Sequence, residues 1–600
     1  MSSRITEKAA GMAARCRPSS ANSHIQICSH TLKIGFFFDG FGRHLLKDLQ
    51  TGRVSNVGKL YTAHPDIERS DPLCSYRRAY IPGLGEDFSA DLNVTANSAL
   101  TSFGTSATEV PADQVKEQAI ESAKDAFDPK RNWWERIIRN LKSLLHNPLK
   151  LAGLLKGAAI DASLEVLAPV RDSRFAAELL KTGADTRIQG AVDFLNEAIR
   201  KVEAQRDQPP LKHIELTVYG FDYGATLARA FLHELLSREP QAKEGPYRYQ
   251  GKALNILFAG LFDGVDRSHV DFPLPLPLRT VLDDGGPLPV RVQQALHLVA
   301  GHERRFYRRA RLLGNSRTQW REKWVPGVSE DVGGSLLPGE QKPSAELALV
   351  SLHEMYHAAR RAGAPFPSLE ELPLTDRKTA ELFIFNDHID NVSAKGLSRH
   401  YEREAQASLA QVRAFKPVYA NAPMRREQQL FAAHMRVYLR WLAALWRPYQ
   451  ARLRQLNEEE DRLRAGALGS MSGMLGISRE SAAQRQARET RLQAISQERT
   501  QLRTDLGWLE AVHDEATSMR AALDNPVRGW RAAGTRDQAD LWEVLLSAWF
   551  EEPSRTISEP MHRLFGHFVH DRLAVSVAQR SVKQLSGQEF FDIRGFDLPS

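Results

Sequence analysis

Cysteine is scarce in this 600-residue chain, and Cys16, Cys28 and Cys74 are too few and too unevenly spaced for a disulfide framework or a zinc site. Synthesis in a reducing compartment is therefore expected. Long apolar runs are missing too, since none reaches the ~18 residues that a bilayer-spanning helix requires. The N-terminus lacks the charged-then-apolar order of an export signal, so residues 1–30 read as a disordered tail with no conventional export route. Charge of one sign is weakly represented. The 80 Lys plus Arg against 73 Asp plus Glu leave +7, which over this length singles out no nucleic-acid partner.

What is present begins with the stretch Ile214–Ala230. Ile214, Leu216 and Val218 alternate as in a strand, Gly220 and Gly224 bracket three residues, and Ala225, Leu227, Ala228 and Phe231 resume at helical spacing. Strand, sharp turn and helix make a nucleophile elbow, in which small residues let one side chain rise at the top of a sheet while backbone N–H groups stay open as an oxyanion hole. The raised residue is Asp222, with Tyr223 and Gly224 beside it.

Other segments suit the same sheet. Leu32–Phe38 is a buried strand that ends in Asp39-Gly40-Phe41-Gly42, where Asp39 either holds an oxyanion loop or caps a turn. Ser55 opens a capped helix, and Tyr80–Gly85 is a Gly/Pro turn after a strand. Leu254–Phe262 runs into Asp263, the place of a triad acid in the chain order nucleophile, acid, histidine, with Asp266 as its rival. Arg291–Arg311 reads as a basic helix. Trp324–Gly334 is a strand ending in an acidic Gly-rich turn that carries Ser329 and Asp331. Late in the chain, His570-Asp571 offers a general base.

The expected fold class is α/β: a mostly parallel, hydrolase-like sheet flanked by helices over residues 31–400, with a long helical hairpin inserted at 417–525 and a return to the core at 526–600. Within the core, residues 130–175 form a basic amphipathic insertion, from Trp133 to Leu155, that suits either a lid or a membrane-surface helix. No cofactor is called for, and no metal.

Six motifs in order carry a family resemblance: Phe37-Phe38-Asp39-Gly40, Ser55–Tyr61, Gly220–Ala225, Leu261-Phe262-Asp263, Pro326–Gly334 and Val569-His570-Asp571. The chain resembles the type VI secretion lipase-effector family, an α/β-hydrolase group. That resemblance implies a phospholipase or esterase made in the bacterial cytoplasm, delivered by the type VI apparatus to a target membrane lipid surface, and countered by an immunity protein.

The departures fall at the chemistry. Where the family has serine this chain has Asp222, and Ser329 stands at a family histidine. A carboxylate has no proton to give a histidine, so serine-type acyl transfer at residue 222 is excluded. Three readings remain open: a degenerate site in a lipase frame; an alkyl-transferring hydrolase with Asp222 as nucleophile, Asp263 as orienter and His570 as base, similar to haloalkane dehalogenases and epoxide hydrolases; or a membrane- or partner-binding scaffold.

Overall fold

Among the described residues up to Val325 the strands are β1 (His30–Phe38), β2 (Cys74–Ile81), β3 (Leu211–Phe221), β4 (Arg248–Tyr249), β5 (Lys252–Phe262), β6 (Val265–Asp266), β7 (Val292–Ala300), β8 (Arg309–Arg311) and β9 (Trp320–Val325). The computed structural model describes residues 29–67, 73–84, 86, 88, 174–205, 209–239, 246–266, 287–305, 308–314, 317–420, 422–472, 481–524, 535–550, 557–571 and 590–598. Six strands form one sheet in the order β2-β1-β3-β5-β7-β9, and every neighbouring pair is parallel. Short β4 adds an antiparallel turn to β5.

A parallel sheet needs cover on both faces, and the sequence supplies it. In β1, Leu32, Ile34, Phe36 and Phe38 face one layer while Phe37 faces the other. Helices that pack about the sheet are, in chain order, α1 (Leu45–Thr51), α2 (Asn56–Ala63), α3 (Arg174–Glu203), α4 (Tyr223–Ser237), α5 (Ser329–Gly333) and α6 (Leu347–Arg361). On the first face Val192, Leu195 and Ile199 of α3 and Leu227, Phe231 and Leu235 of α4 complete the core. On the second, Val57, Leu60 and Tyr61 of α2 meet Leu352, Met355 and Tyr356 of α6. Each fully buried Leu, Ile or Phe contributes about 1.5–3 kcal/mol, so these two layers fix the sheet firmly under the elbow.

The strands expected from Leu32, Leu254 and Trp324 are present, and Ser55 caps α2 through a bond from Gly58 N–H to its Oγ at 3.0 Å. The expected basic helix at Arg291–Arg311 is not. Its first half is β7, seated between β5 and β9, because Val292 and the run Ala295–Ala300 are buried in the parallel sheet. Its second half contains β8, whose Ala310 pairs with Val265 on one side and Phe596 on the other.

The chain divides into two compact units. One comprises Met1–Ser398, Gly566–Gln579 and Arg594–Ser600; the other comprises Arg399–Phe565 and Arg580–Ile593. The second is helical among its described residues: α7 (Ala394–Ala414) leads into it, followed by α8 (Arg426–Ser472), α9 (Ala482–Leu506), α10 (Trp508–Asp524) and α11 (Thr535–Phe550). Helix α8 runs on through Gly466 and Gly469 to Ser472. Helices α8 and α9 contact one another, with Leu456 and Ile495 buried and Arg452–Glu498 and Arg491–Glu459 ion pairs linking them, each at 2.7 Å. The N-terminal tail through residue 28 and the basic segment 130–173 lie outside the described residues. No helix among the described residues is long and apolar enough to cross a membrane.

Candidate functional site

Asp222 sits between β3 and α4 with φ 52° and ψ −125°. A non-glycine residue takes this backbone only where its surroundings hold it there. Those surroundings are backbone bonds: Asp222 N–H donates to Phe262 O at 3.0 Å, and its own carbonyl accepts from Ala225 N–H at 3.1 Å and Val265 N–H at 3.2 Å. The flanking glycines explain the close turn. A Cβ on Gly224 would lie 2.4 Å from Phe38 O and 2.3 Å from Asp39 O, so α4 starts hard against the end of β1 only because residue 224 has no side chain.

The loop after β1 closes over the elbow. Asp39 is buried and accepts from Gly40 N–H (2.8 Å), Ser55 Oγ–H (2.7 Å) and Tyr80 Oη–H (2.6 Å). It organises the loop, and burial still pushes its carboxyl above the usual range against those three donors and Arg43. Gly83 packs on Gly40 with no room for a Cβ, 1.6 Å from Gly40 O. Arg187 of α3 then binds the carbonyls of Pro82, Gly83 and Glu86 at 2.7–2.9 Å. The product of this bracing is the position of Phe41 N–H, which donates to Asp222 Oδ2 at 3.4 Å. A loop amide in the place expected of an oxyanion donor thus faces the elbow's own carboxylate.

His570 is fully buried, and its Nδ1 bonds Asp331 Oδ1 at 2.7 Å. Oδ2 of Asp331 accepts the backbone N–H groups of His570 and Val328, each at 3.0 Å. Burial pushes the imidazole toward neutrality, but the Asp331 carboxylate outweighs it and holds His570 above its ordinary pKa. The Nε2 atom is buried and has no hydrogen-bond partner. Asp571 anchors the same segment: its backbone carbonyl accepts from Arg304, and its carboxylate meets Gln341 Nε2 at 3.1 Å and Lys342 Nζ at 3.3 Å.

The expected pairing of Asp263 with His570 is therefore corrected. Asp263 is buried at the end of β5 with φ 43°, and both its oxygens are taken by the guanidinium of Arg594, Oδ2 at 2.9 Å; Oδ1 also accepts Ala300 N–H at 2.9 Å. Its rival Asp266 lies on β6 opposite Arg309. Asp331 takes the orienting position because α5 directly follows β9, two strands across the sheet from the elbow strand's neighbour β5.

A buried ionic network fills the remaining edge. Arg305 bridges Glu303 and Glu330, and Arg308 Nη2 meets Glu330 Oε1 at 2.9 Å. Burial alone would raise both carboxyl groups, but the guanidinium groups of Arg305 and Arg308 hold them below their usual range. Ser329 N–H donates to Glu303 Oε2 at 3.1 Å, while Ser329 Oγ is buried with no partner. Tyr223, also buried, begins α4. Among the described residues no cluster of His, Cys, Asp and Glu forms a metal cage.

The sequence thus singled out Asp39, Gly40, Asp222, Asp331 and His570, and gave no sign of Arg308 or Arg594. Arg594 reaches Asp263 across 331 residues, and no local pattern announces a contact of that separation.

Sheet order, elbow and helical cover define an α/β protein. Compared with solved structures, the chain is similar to an uncharacterized protein from Pseudomonas aeruginosa, at 19% identity and a TM-score of 0.51 over 100% of this chain and 83% of that one, a likeness of fold. It also matches a type 6 secretion system structure, the Tle1 effector bound to the VgrG spike, at 13% identity and a TM-score of 0.34, over 70% of this chain and 87% of that one. No family model matches the sequence, and no curated protein does either.

Proposed function

We propose that the chain is a lipase-effector frame whose serine chemistry has been given up: an effector-type or effector-associated protein of the type VI secretion lipase family that acts at membranes without serine-type turnover. The ordered motifs from Phe37 to Asp571 support the family reading. The observation that carries the loss of chemistry is the Phe41 N–H bond to Asp222 Oδ2, because a carboxyl oxygen held at an oxyanion donor occupies the place where transition-state charge would develop. A spike component of the secretion machine and an immunity protein are its proposed partners.

The experiment is labelling with a fluorophosphonate. The unsubstituted chain should not react. Asp222→Ser should place a hydroxyl on the elbow and take up the label there, and His570→Gln in that background should remove it. Turnover of phospholipid vesicles by the unsubstituted chain at the rate of a serine lipase would overturn the reading.

One observation favours a second reading, with Asp222 as an alkyl-accepting nucleophile. The Asp331–His570 pair is intact and His570 Nε2 has no protein partner, as a base that activates water requires. Under this reading an alkyl halide or epoxide leaves a covalent mass on the elbow peptide when His570→Gln blocks hydrolysis. A broad panel without adducts removes it.

A further inference from the structure

Helix α6 carries the sequence His353-Glu354-Met355-Tyr356-His357. Met355 and Tyr356 are fully buried in the second core layer, which turns His353 and His357 to the outer side of the helix, where both are partly exposed. Residues four apart on a helix are neighbours, and the two imidazole centroids lie 6.3 Å apart. His-Glu-x-x-His on a helix puts two imidazoles on one face in position to share a metal ion, and this stretch has both the spacing and the helix.

The state of each ring favours ligation. His353 Nε2 bonds the carbonyl of Phe383 at 2.7 Å, and a carbonyl only accepts, so the proton of the neutral ring sits on Nε2 and the lone pair on Nδ1. That Nδ1 is buried and has no hydrogen-bond partner. A ring N–H fixed by a backbone carbonyl, with the other nitrogen left over, is how metal-bound histidines are oriented. Phe385 packs on the same ring, with centroids 5.0 Å apart.

Burial is the largest cause of a lowered pKa at both rings, and Lys395 of α7 acts the same way on each. At His353 the Phe383 carbonyl opposes it while His357 and Lys59 reinforce it; at His357 Arg360 and Arg361 reinforce it and Glu370 opposes it. Both rings are thus neutral at pH 7, the form that gives a lone pair to a metal. The same cations repel a dication, and Lys395 is the one that both rings share.

We propose that His353 Nδ1 and one nitrogen of His357 chelate a divalent transition-metal ion of the zinc class on the outer side of α6, with water in its other positions. Zinc–nitrogen bonds of 2.0–2.1 Å at a tetrahedral angle set the centroids about 5 Å apart, ~1 Å closer than they stand, an adjustment that rotation of the partly exposed His357 supplies. No third His, Cys, Asp or Glu joins the pair among the described residues, so the site is open and not a closed structural cage. Glu354, the general base of this pattern in zinc peptidases, is committed to Lys323 Nζ at 2.7 Å, so the site binds an ion without hydrolysing peptides. No elbow residue takes part, and this binding stands apart from the lipase-frame reading.

The test measures zinc affinity of the full chain by competition with a chromophoric chelator at pH 7.5 and low ionic strength. With 19 histidines in the chain, single substitutions locate the site. His353→Gln and His357→Gln should each lower the affinity of the tightest site by roughly tenfold or more, since losing even a supporting partner costs that much. Lys395→Ala should raise it several-fold. His388→Gln, which removes an exposed imidazole outside the pair, should change nothing. Calcium, which takes oxygen ligands, should not displace zinc, and zinc should protect His357 from diethyl pyrocarbonate as read by mass spectrometry.

Unchanged zinc affinity in either His353→Gln or His357→Gln would overturn the proposal. So would an equal loss in His388→Gln, or displacement by calcium at matched concentration. Unchanged affinity in Lys395→Ala would place the ion away from the pair and overturn it as well. If His353→Gln does not fold, His357→Gln and the protection of His357 decide, and a His357 that zinc leaves unprotected removes the site.

Discussion

His570 gives its Nδ1 to Asp331 at 2.7 Å, while Asp263, the acid at the end of β5, is locked to Arg594. The role expected of Asp263 falls to Asp331, which orients the imidazole, while Asp263 closes a structural ion pair. The histidine–acid pair and the elbow that raises Asp222 belong to the same compact unit.

That pair should show in the pH dependence of stability. The folded pKa of His570 is raised above its unfolded value, so its contribution is fully present below the unfolded pKa of about 6.5 and is lost as pH rises through the folded one. Urea unfolding of the unsubstituted chain and His570→Gln at pH 6 and pH 9 should give a larger difference at pH 6. A difference that is equal, or larger at pH 9, removes the charged pair.

Arg594→Ala should be among the most damaging single changes in the first unit. It leaves the Asp263 carboxylate buried without its counter-ion, which costs roughly 3–5 kcal/mol. Adding Asp263→Asn should restore part of the loss, because the stranded charge is then gone. Denaturant midpoints of the two singles and the double check this, and simple additivity would show that the two groups act independently.

The separate strands and the elbow were legible because each depends on neighbours in sequence. Ile214, Leu216 and Val218 give the strand, Gly220 and Gly224 the turn, and Ala225 to Phe231 the helix. The site was half legible for the same reason. Asp39 acts on the loop that contains it, whereas the partner of His570 was sought at Asp263 or Asp266, and Asp331 lies 239 residues from it with no local pattern to announce the pair. The strand β7 was misread because Arg291 and the charged run from Glu303 made a buried strand resemble one side of a basic helix.

Arg187 should matter to the site without touching it. Its three bonds to the Pro82–Glu86 loop hold Gly83 against Gly40 and so fix the Phe41 amide. Arg187→Ala should speed hydrogen exchange at residues 40–43 and 82–86 more than elsewhere in the first unit. Uniform exchange across the unit would mean that the clamp only adds general stability.

The elbow itself offers the last test. Asp222 holds φ 52° and ψ −125°, a backbone that costs a non-glycine residue of order 1–3 kcal/mol and a glycine far less. Asp222→Gly therefore relieves strain but loses the acceptor for Phe41 N–H, a long bond at 3.4 Å and a weak one. Glycine also widens the unfolded ensemble, at ~0.4–1 kcal/mol. Strain relief is the larger quantity, so Asp222→Gly should raise the thermal midpoint, whereas Asp222→Ala, which keeps the Cβ and the strain, should not. If alanine stabilises as much as glycine, the gain comes from removing a buried charge, and the elbow stores no backbone strain at this residue.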